Sequence, residues 1–230
     1  MELTGSYRHE LKYQISPADA LALRQRLRAV MKCDPHTGAD GLYTVRSVYF
    51  DNYGDKALRE KVSGVPKREK FRIRYYNDDF SFIALEKKLK HNDLCMKLDA
   101  PLTAQEYRRI LQEPGAWMLE HPQPLVRELY CKMKTQQLRP RVLVSYVREP
   151  YIYDAGNVRV TFDSHIRTSL FQRDFSDGAL SGICATDTPG DIILEVKFDA
   201  FLPEIIRCLL QSEGLRQQAF SKYGFCRRFG

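Results

Sequence analysis

Lys70-Phe71-Arg72-Ile73-Arg74-Tyr75 alternates a cation with a ring or a branched aliphatic at every step. A strand sends residues i, i+2 and i+4 to one face. Arg72 and Arg74 therefore share a face, and Phe71, Ile73 and Tyr75 take the other. The pattern recurs in Arg8-His9-Glu10-Leu11-Lys12, Leu85-Glu86-Lys87-Lys88, Val158-Arg159-Val160-Thr161-Phe162-Asp163 and Leu194-Glu195-Val196-Lys197-Phe198. Arg8, Glu10 and Lys12 share a face, as do Glu86 with Lys88 and Glu195 with Lys197. An ordinary solvated strand face mixes Thr, Ser, Glu and Lys. Here Arg is preferred, which suits bidentate phosphate recognition. So many cations on one face repel one another unless an anion lies against them. The pattern predicts a polyanion site built on strands, with carboxylates placed where a divalent metal could sit. A sheet curled with this face inward is a basic tunnel. It must be wet, ligand-filled or metal-occupied, because dry burial of like charges is prohibitive.

Other signals fill in the fold. Strands are predicted over 7–13, 43–50, 68–76, 81–90, 141–149, 157–163 and 191–198, with Asn77-Asp78-Asp79 as a hairpin connection. Ser16-Pro17-x-Asp19 opens a helix whose stripe is Ala20, Leu23, Leu27 and Val30. Thr103-x-x-Glu106 caps a second helix, to Leu111. Further helices are predicted over 124–138 and 203–211, with Gly214 past the end of the last. Asp34–Gly41 and Gly178–Gly190 read as loops, and Asp51 as a turn-capping residue. Strands with inserted helices give an α+β protein dominated by antiparallel sheet. No internal repeat or linker divides the 230 residues, so residues 1–230 are expected to form one domain.

Composition narrows the partners. Lys and Arg total 36 against 29 Asp and Glu, a net charge of +7. This favours anionic partners without choosing among them. No apolar run is long enough to cross a bilayer, and Met1–Tyr13 lacks a signal-peptide core. The six cysteines are scattered without a C-x-x-C pair, which predicts reduced thiols in a cytoplasmic protein. The five histidines form no ligand-spaced cluster.

The ordered set of pieces resembles a known family. They are Tyr7-Arg8-His9-Glu10-Leu11-Lys12-Tyr13, Ser47-Val48-Tyr49-Phe50-Asp51, Arg72-Ile73-Arg74-Tyr75 and Leu85-Glu86-Lys87-Lys88 with the later Lys97. Tyr146-Val147-Arg148, Arg159-Val160-Thr161-Phe162-Asp163, Leu194-Glu195-Val196-Lys197 and Ser221-Lys222-Tyr223 complete the set. Together, from about Tyr7 to about Tyr223, they resemble the VTC domain, a polyphosphate polymerase domain among the triphosphate tunnel metalloenzymes, or CYTH proteins. The resemblance implies a closed antiparallel β-barrel tunnel with helices packed outside. It implies ATP bound by its phosphates, Mn²⁺ or Mg²⁺, and transfer of the terminal phosphate onto inorganic polyphosphate. In tunnel enzymes generally the first strand carries Glu-x-Glu-x-Lys; here Arg8 replaces the first Glu. That departure is the polymerase pattern, and it argues against a plain triphosphatase and against a full two-metal site.

Site residues follow from the resemblance. Arg72, Arg74, Lys88, Arg148 and Lys222 are expected at the reacting phosphates. Arg8, Lys12, Arg46, Lys97, Arg159, Lys197, Ser221 and Tyr223 are expected to bind substrate. Glu195 is the first choice for the metal, with Glu10 and Glu86 behind it. Tyr49, Tyr75 and Tyr146 are expected in the core or as a base-stacking platform. Triphosphate hydrolysis and non-catalytic polyphosphate binding are the alternatives on the same tunnel. Nucleic-acid binding is disfavoured, because the aromatics alternate out of phase with the cations. Any membrane-protein partner is expected on another chain.

Overall fold

The computed structural model describes residues 7–92, 94–169, 175, 183–184, 192–211 and 215–227. Among the described residues ten strands form one antiparallel sheet: β1 (Arg8–Ile15), β2 (Lys32–Cys33), β3 (Tyr43–Asp51), β4 (Lys67–Tyr76), β5 (Asp79–His91), β6 (Leu94–Leu102), β7 (Arg139–Tyr153), β8 (Val158–Thr168), β9 (Ile183–Cys184) and β10 (Ile192–Phe198). The order β7-β3-β4-β5-β6-β1-β10-β8 closes on itself through β8 and β7, so the sheet is a ring. β2 and β9 are short additions on β7 and β8.

Alternation decides what each face of the ring carries. Phe71, Ile73, Tyr75 and Leu85 point outward and pack against Tyr107 and Ile110 of α3 (Ala104–Gln112) and Leu125, Val126 and Leu129 of α4 (Pro124–Gln136). On the opposite side Val160, Phe162, Leu194 and Val196 pack against Ala20, Leu23 and Leu27 of α1 (Pro17–Arg28) and Ile206 of α5 (Glu204–Leu209). Burying each such side chain stabilises the fold by roughly 1.5–3 kcal/mol. A one-residue slip would bring the cations to these helices and the rings inside, so the apolar helices fix the register.

The expected caps are present. Ser16 Oγ accepts from Asp19 N at 3.1 Å, and Asp19 Oδ2 accepts from Ser16 N at 3.3 Å. Thr103 and Glu106 form the same box on α3. The β4–β5 hairpin turns on Asn77 and Asp78 alone, with φ of 49° and 57°, so Asp79 already belongs to the strand. Two positive φ values match a right-handed hairpin twist. The strand expected over 141–149 extends from Arg139 to Tyr153.

β6, α2 (Lys56–Val62) and α6 (Lys222–Cys226) escape the sequence pattern, as do the two-residue β2 and β9. β6 contains Pro101, which breaks a strand signature, yet it pairs with β5 along its length. The helices α2 and α6 are too short to show a period. The expectation of helices outside the ring holds for α1, α3, α4 and α5, but α6 corrects it. Tyr223 and Cys226 pack on the inner face against Tyr49, Val142, Val144 and Tyr146. Asp51 fixes this end: it accepts from the Tyr223 hydroxyl at 2.6 Å and from Ala57 N and Leu58 N at 2.9 and 3.2 Å. The loop expected over Gly178–Gly190 and the stop at Gly214 fall outside the described residues, apart from β9.

Candidate active site in the bore of the ring

The inner face carries the charges that alternation assigns to it. Arg72 Nε donates to Glu86 Oε2 at 2.6 Å, and Arg72 Nη1 donates to the Tyr49 hydroxyl at 2.9 Å. Arg74 Nη1 and Lys97 Nζ lie 3.6 and 3.4 Å from Glu86 Oε1. Glu86 is thus saturated by three cations. Arg74 is buried, and its Nε has no hydrogen-bond partner among the described residues. A buried guanidinium with spare donors is suited to an anion.

A second cluster lies across the bore. Lys88 Nζ is 2.7 Å from both Glu10 oxygens. Lys12 Nζ is 3.4 Å from Glu10 and from Glu195, and Lys197 Nζ is 3.7 Å from each. The two carboxylates thus share Lys12 and Lys197. Arg148 grips Asp163 with Nε and Nη2 at 2.6 and 2.8 Å, and its Nη2 also reaches Glu195 Oε2 at 3.2 Å. Lys222 Nζ, from α6, closes on Asp163 Oδ2 at 2.5 Å and lies 4.7 Å from the centre of the Tyr146 ring.

These neighbours shift the ionisations. Burial alone would push the Glu10 carboxyl up; Lys12 and Lys88 overcome it and bring it down to about 2. Burial opposes the charged forms of Glu86 and Glu195 too. Arg72 and Arg74 hold Glu86 far below the usual range, and Lys197 and Lys12 do so for Glu195. Burial brings Lys197 down to about 8 despite Glu195 and Glu10. It also brings Lys70 down to about 8, with Lys88, Lys12 and Arg72 adding to the effect. The Tyr49 phenol falls to about 7, because Arg72, Lys70 and Arg74 outweigh its burial. The bore therefore holds more positive charge than it can neutralise by itself.

Two cavities meet the bore, and Glu10 and Lys88 line both. One mouth is a cavity of ≈ 400 Å³ lined by Arg8, Glu10, Tyr43, Arg72, Arg74, Tyr76, Lys88, Lys97, Arg148, Arg159 and Lys197. The other, ≈ 260 Å³, is lined by Glu10, Lys12, Lys61, Arg68, Lys70, Lys88, Lys90, Ser221 and Tyr223. A larger cavity of ≈ 800 Å³ lies on the outer face of β3, β7 and β8, but its Arg24 and Arg46 already pair with Glu149 and Asp78.

Most expected site residues converge. Arg46 does not: it shares the outer parity of Val48 and Phe50 and pairs with Asp78 at 2.7 Å. Arg8 and Arg159 line the rim, tied to Asp199 at 2.7 Å and to Asp34 at 2.5 Å. Ser221 caps α6, with its Oγ accepting from Gly224 N, and Tyr223 bonds to Asp51. Tyr75 is in the outer core, whereas Tyr49 and Tyr146 sit inside beside the arginines. Asp163, Lys70 and Tyr49 belong to the cluster and were not assigned to it from sequence. For Asp163 the signal was its parity with Arg159 on β8.

The VTC domain profile matches residues 7–229. The chain belongs to the VTC domain family. This VTC domain shares its fold with solved structures of low sequence identity. A crystal structure of a putative adenylate cyclase from Bacillus halodurans superposes with a TM-score of 0.51 at 15% identity, covering 84% of this chain and 81% of that one. The putative adenylyl cyclase HpAC1 from Hippeastrum, described as having a dominant triphosphatase activity, superposes with a TM-score of 0.50 at 12% identity, covering 90% and 84%. No curated protein matches the chain. Among the described residues no helix is long and apolar enough to cross a membrane.

Proposed function

We propose that this VTC domain is a metal-dependent ATP:polyphosphate phosphotransferase working in a closed β-barrel tunnel. The observation that carries the reading is the pair of cationic cavities, both lined by Glu10 and Lys88. A hydrolase needs one entrance. A polymerase must admit a nucleotide and let a lengthening chain leave, and two cationic cavities that share Glu10 and Lys88 offer a place for each.

The residues supply position and charge, which is most of what phosphoryl transfer asks of a protein. Arg72, Arg74, Arg148, Lys88 and Lys222 bind and orient the phosphates around the γ-phosphorus. Arg8, Lys97, Arg159 and Lys197 draw the triphosphate in at the wider mouth. Lys12, with Lys70, faces the chain in the narrower one. A terminal oxygen of the polyphosphate attacks the γ-phosphorus, the bond to the ADP oxygen breaks, and ADP leaves with that electron pair. No protein nucleophile is needed.

The residues also fit a divalent ion. Among the described residues no three His, Cys, Asp or Glu side chains form a cage. Glu10 and Glu195 do converge, and Mg²⁺ or Mn²⁺ takes one or two carboxylates while phosphates fill its shell. Glu86 does not fit that role, because Arg72, Arg74 and Lys97 already occupy it. When bound, the ion would offset charge on the transferring phosphoryl group.

The reading puts the domain in the cytoplasm, where ATP is available and thiols such as Cys95 and Cys226 stay reduced. It leaves any membrane-protein partner to another chain and gives nucleic acid no part. Incubation with ATP and Mn²⁺ or Mg²⁺, followed by separation of long polyphosphate, ADP and phosphate, tests it. Long polyphosphate with ADP supports the polymerase. ADP with free phosphate alone replaces it by hydrolysis on the same tunnel, and tripolyphosphate binding without turnover by a binding module.

A further inference from the structure

Two aromatic rings, Tyr43 and Tyr76, stand on the rim of the wider mouth, and Phe82 packs beside Tyr76. Tyr43 and Tyr76 stand edge to face, 5.5 Å between centroids, and Phe82 follows Tyr76 at 5.9 Å. Tyr43 and Tyr76 line the cavity beside Arg74 and Arg159, and Arg159 Nη2 donates to the Tyr43 hydroxyl at 2.8 Å. Phe82 lies beside the hairpin, past the register shift of β4 and β5 at Arg74/Tyr76, and reaches the mouth through its contact with Tyr76. Phe82 is 58% exposed. The neighbouring Phe80 is by contrast packed into the outer core against Tyr75 and Tyr107. A ring so exposed contributes little burial to the fold.

We infer that Phe82 and Tyr76 form the platform on which the base of an incoming nucleoside triphosphate stacks. This rests on the reading that the bore takes the triphosphate. The geometry orders the ligand: arginines deep in the bore hold phosphates, so the base of the same molecule is left at the rim. A flat π-face there accepts any base without hydrogen-bond readout, so the platform recognises a nucleotide as a class rather than adenine in particular. It also distinguishes a donor nucleotide from the polyphosphate acceptor, which has no ring to stack.

Calorimetric titration of ATP and of inorganic tripolyphosphate, both with Mg²⁺, into wild type, Phe82→Ala and Phe82→Trp tests this. Phe82→Ala is expected to weaken ATP about tenfold, within the usual range for one stacked base, and to leave tripolyphosphate unchanged. Phe82→Trp should restore ATP binding, and its indole fluorescence should be quenched by ATP but not by tripolyphosphate. Unchanged ATP affinity in Phe82→Ala, or equal loss of both ligands, overturns the platform. Wild type binding tripolyphosphate but not ATP also overturns it while sparing the phosphate site. Wild type binding neither removes the tunnel reading itself.

Discussion

Lys222 Nζ lies 2.5 Å from Asp163 Oδ2, joining the last helix to the middle of β8 inside the ring. Asp163 is fully buried and is held from its other side by Arg148. Lys222 is itself 8% exposed. The C-terminal helix is thus part of the electrostatics of the bore.

Lys222→Met should destabilise the domain by about 3 kcal/mol, the lower end for breaking a buried ion pair, because Asp163 keeps Arg148. Urea unfolding measures this. A loss under about 1 kcal/mol would mean that α6 contributes little to the closed ring.

Arg74→Ala should weaken tripolyphosphate binding by roughly 1–3 kcal/mol, the scale of charge-assisted hydrogen bonds. Arg46→Ala should leave it unchanged, since Arg46 lies outside the ring with Asp78. Titration of both variants decides whether the anion enters the bore or the outer groove.

Glu195→Gln should abolish metal-dependent turnover while sparing most nucleotide affinity. The phosphates rest on several cations, none of which is lost. Glu86→Gln should leave the metal-concentration dependence where it was, because Glu86 faces Arg72, Arg74 and Lys97. Rates followed across a Mn²⁺ titration separate the two. Wild-type turnover by Glu195→Gln removes it as a metal ligand.

Phosphate affinity should fall as pH rises from 7 to 9. Lys197 and Lys70 bind anions only when protonated, and both lose the proton near pH 8. Tyr49 becomes an anion near pH 7 and competes for Arg72. All three changes act in one direction. Binding at pH 8 should take up protons, which calorimetry in buffers of different ionisation enthalpy reads out. Tyr49→Phe should remove the Tyr49 share of the decline and, by taking away the phenolate that helps hold the Lys70 proton, bring the Lys70 share to lower pH. An affinity constant between pH 7 and 9 would exclude all three groups.

The sequence by itself determined which residues share a face. Parity along β4, β5, β8 and β10 put Arg72 with Arg74, Glu86 with Lys88 and Glu195 with Lys197, and put Phe71, Ile73 and Tyr75 against the helices. That inference is local, because strand geometry allows no other alternation. The same rule shows Arg46 sharing the outer parity of Val48 and Phe50, so its expected place in the bore came from resemblance alone. Only the tertiary structure decided who meets whom. Lys222 reaches Asp163, Lys12 lies between Glu10 and Glu195, and Tyr49 acquires its acidity from Lys70, Arg72 and Arg74. These relationships depend on ring closure through β7 and β8 and on α6 entering the inner face. Both are set by long-range packing that no periodicity in the chain records.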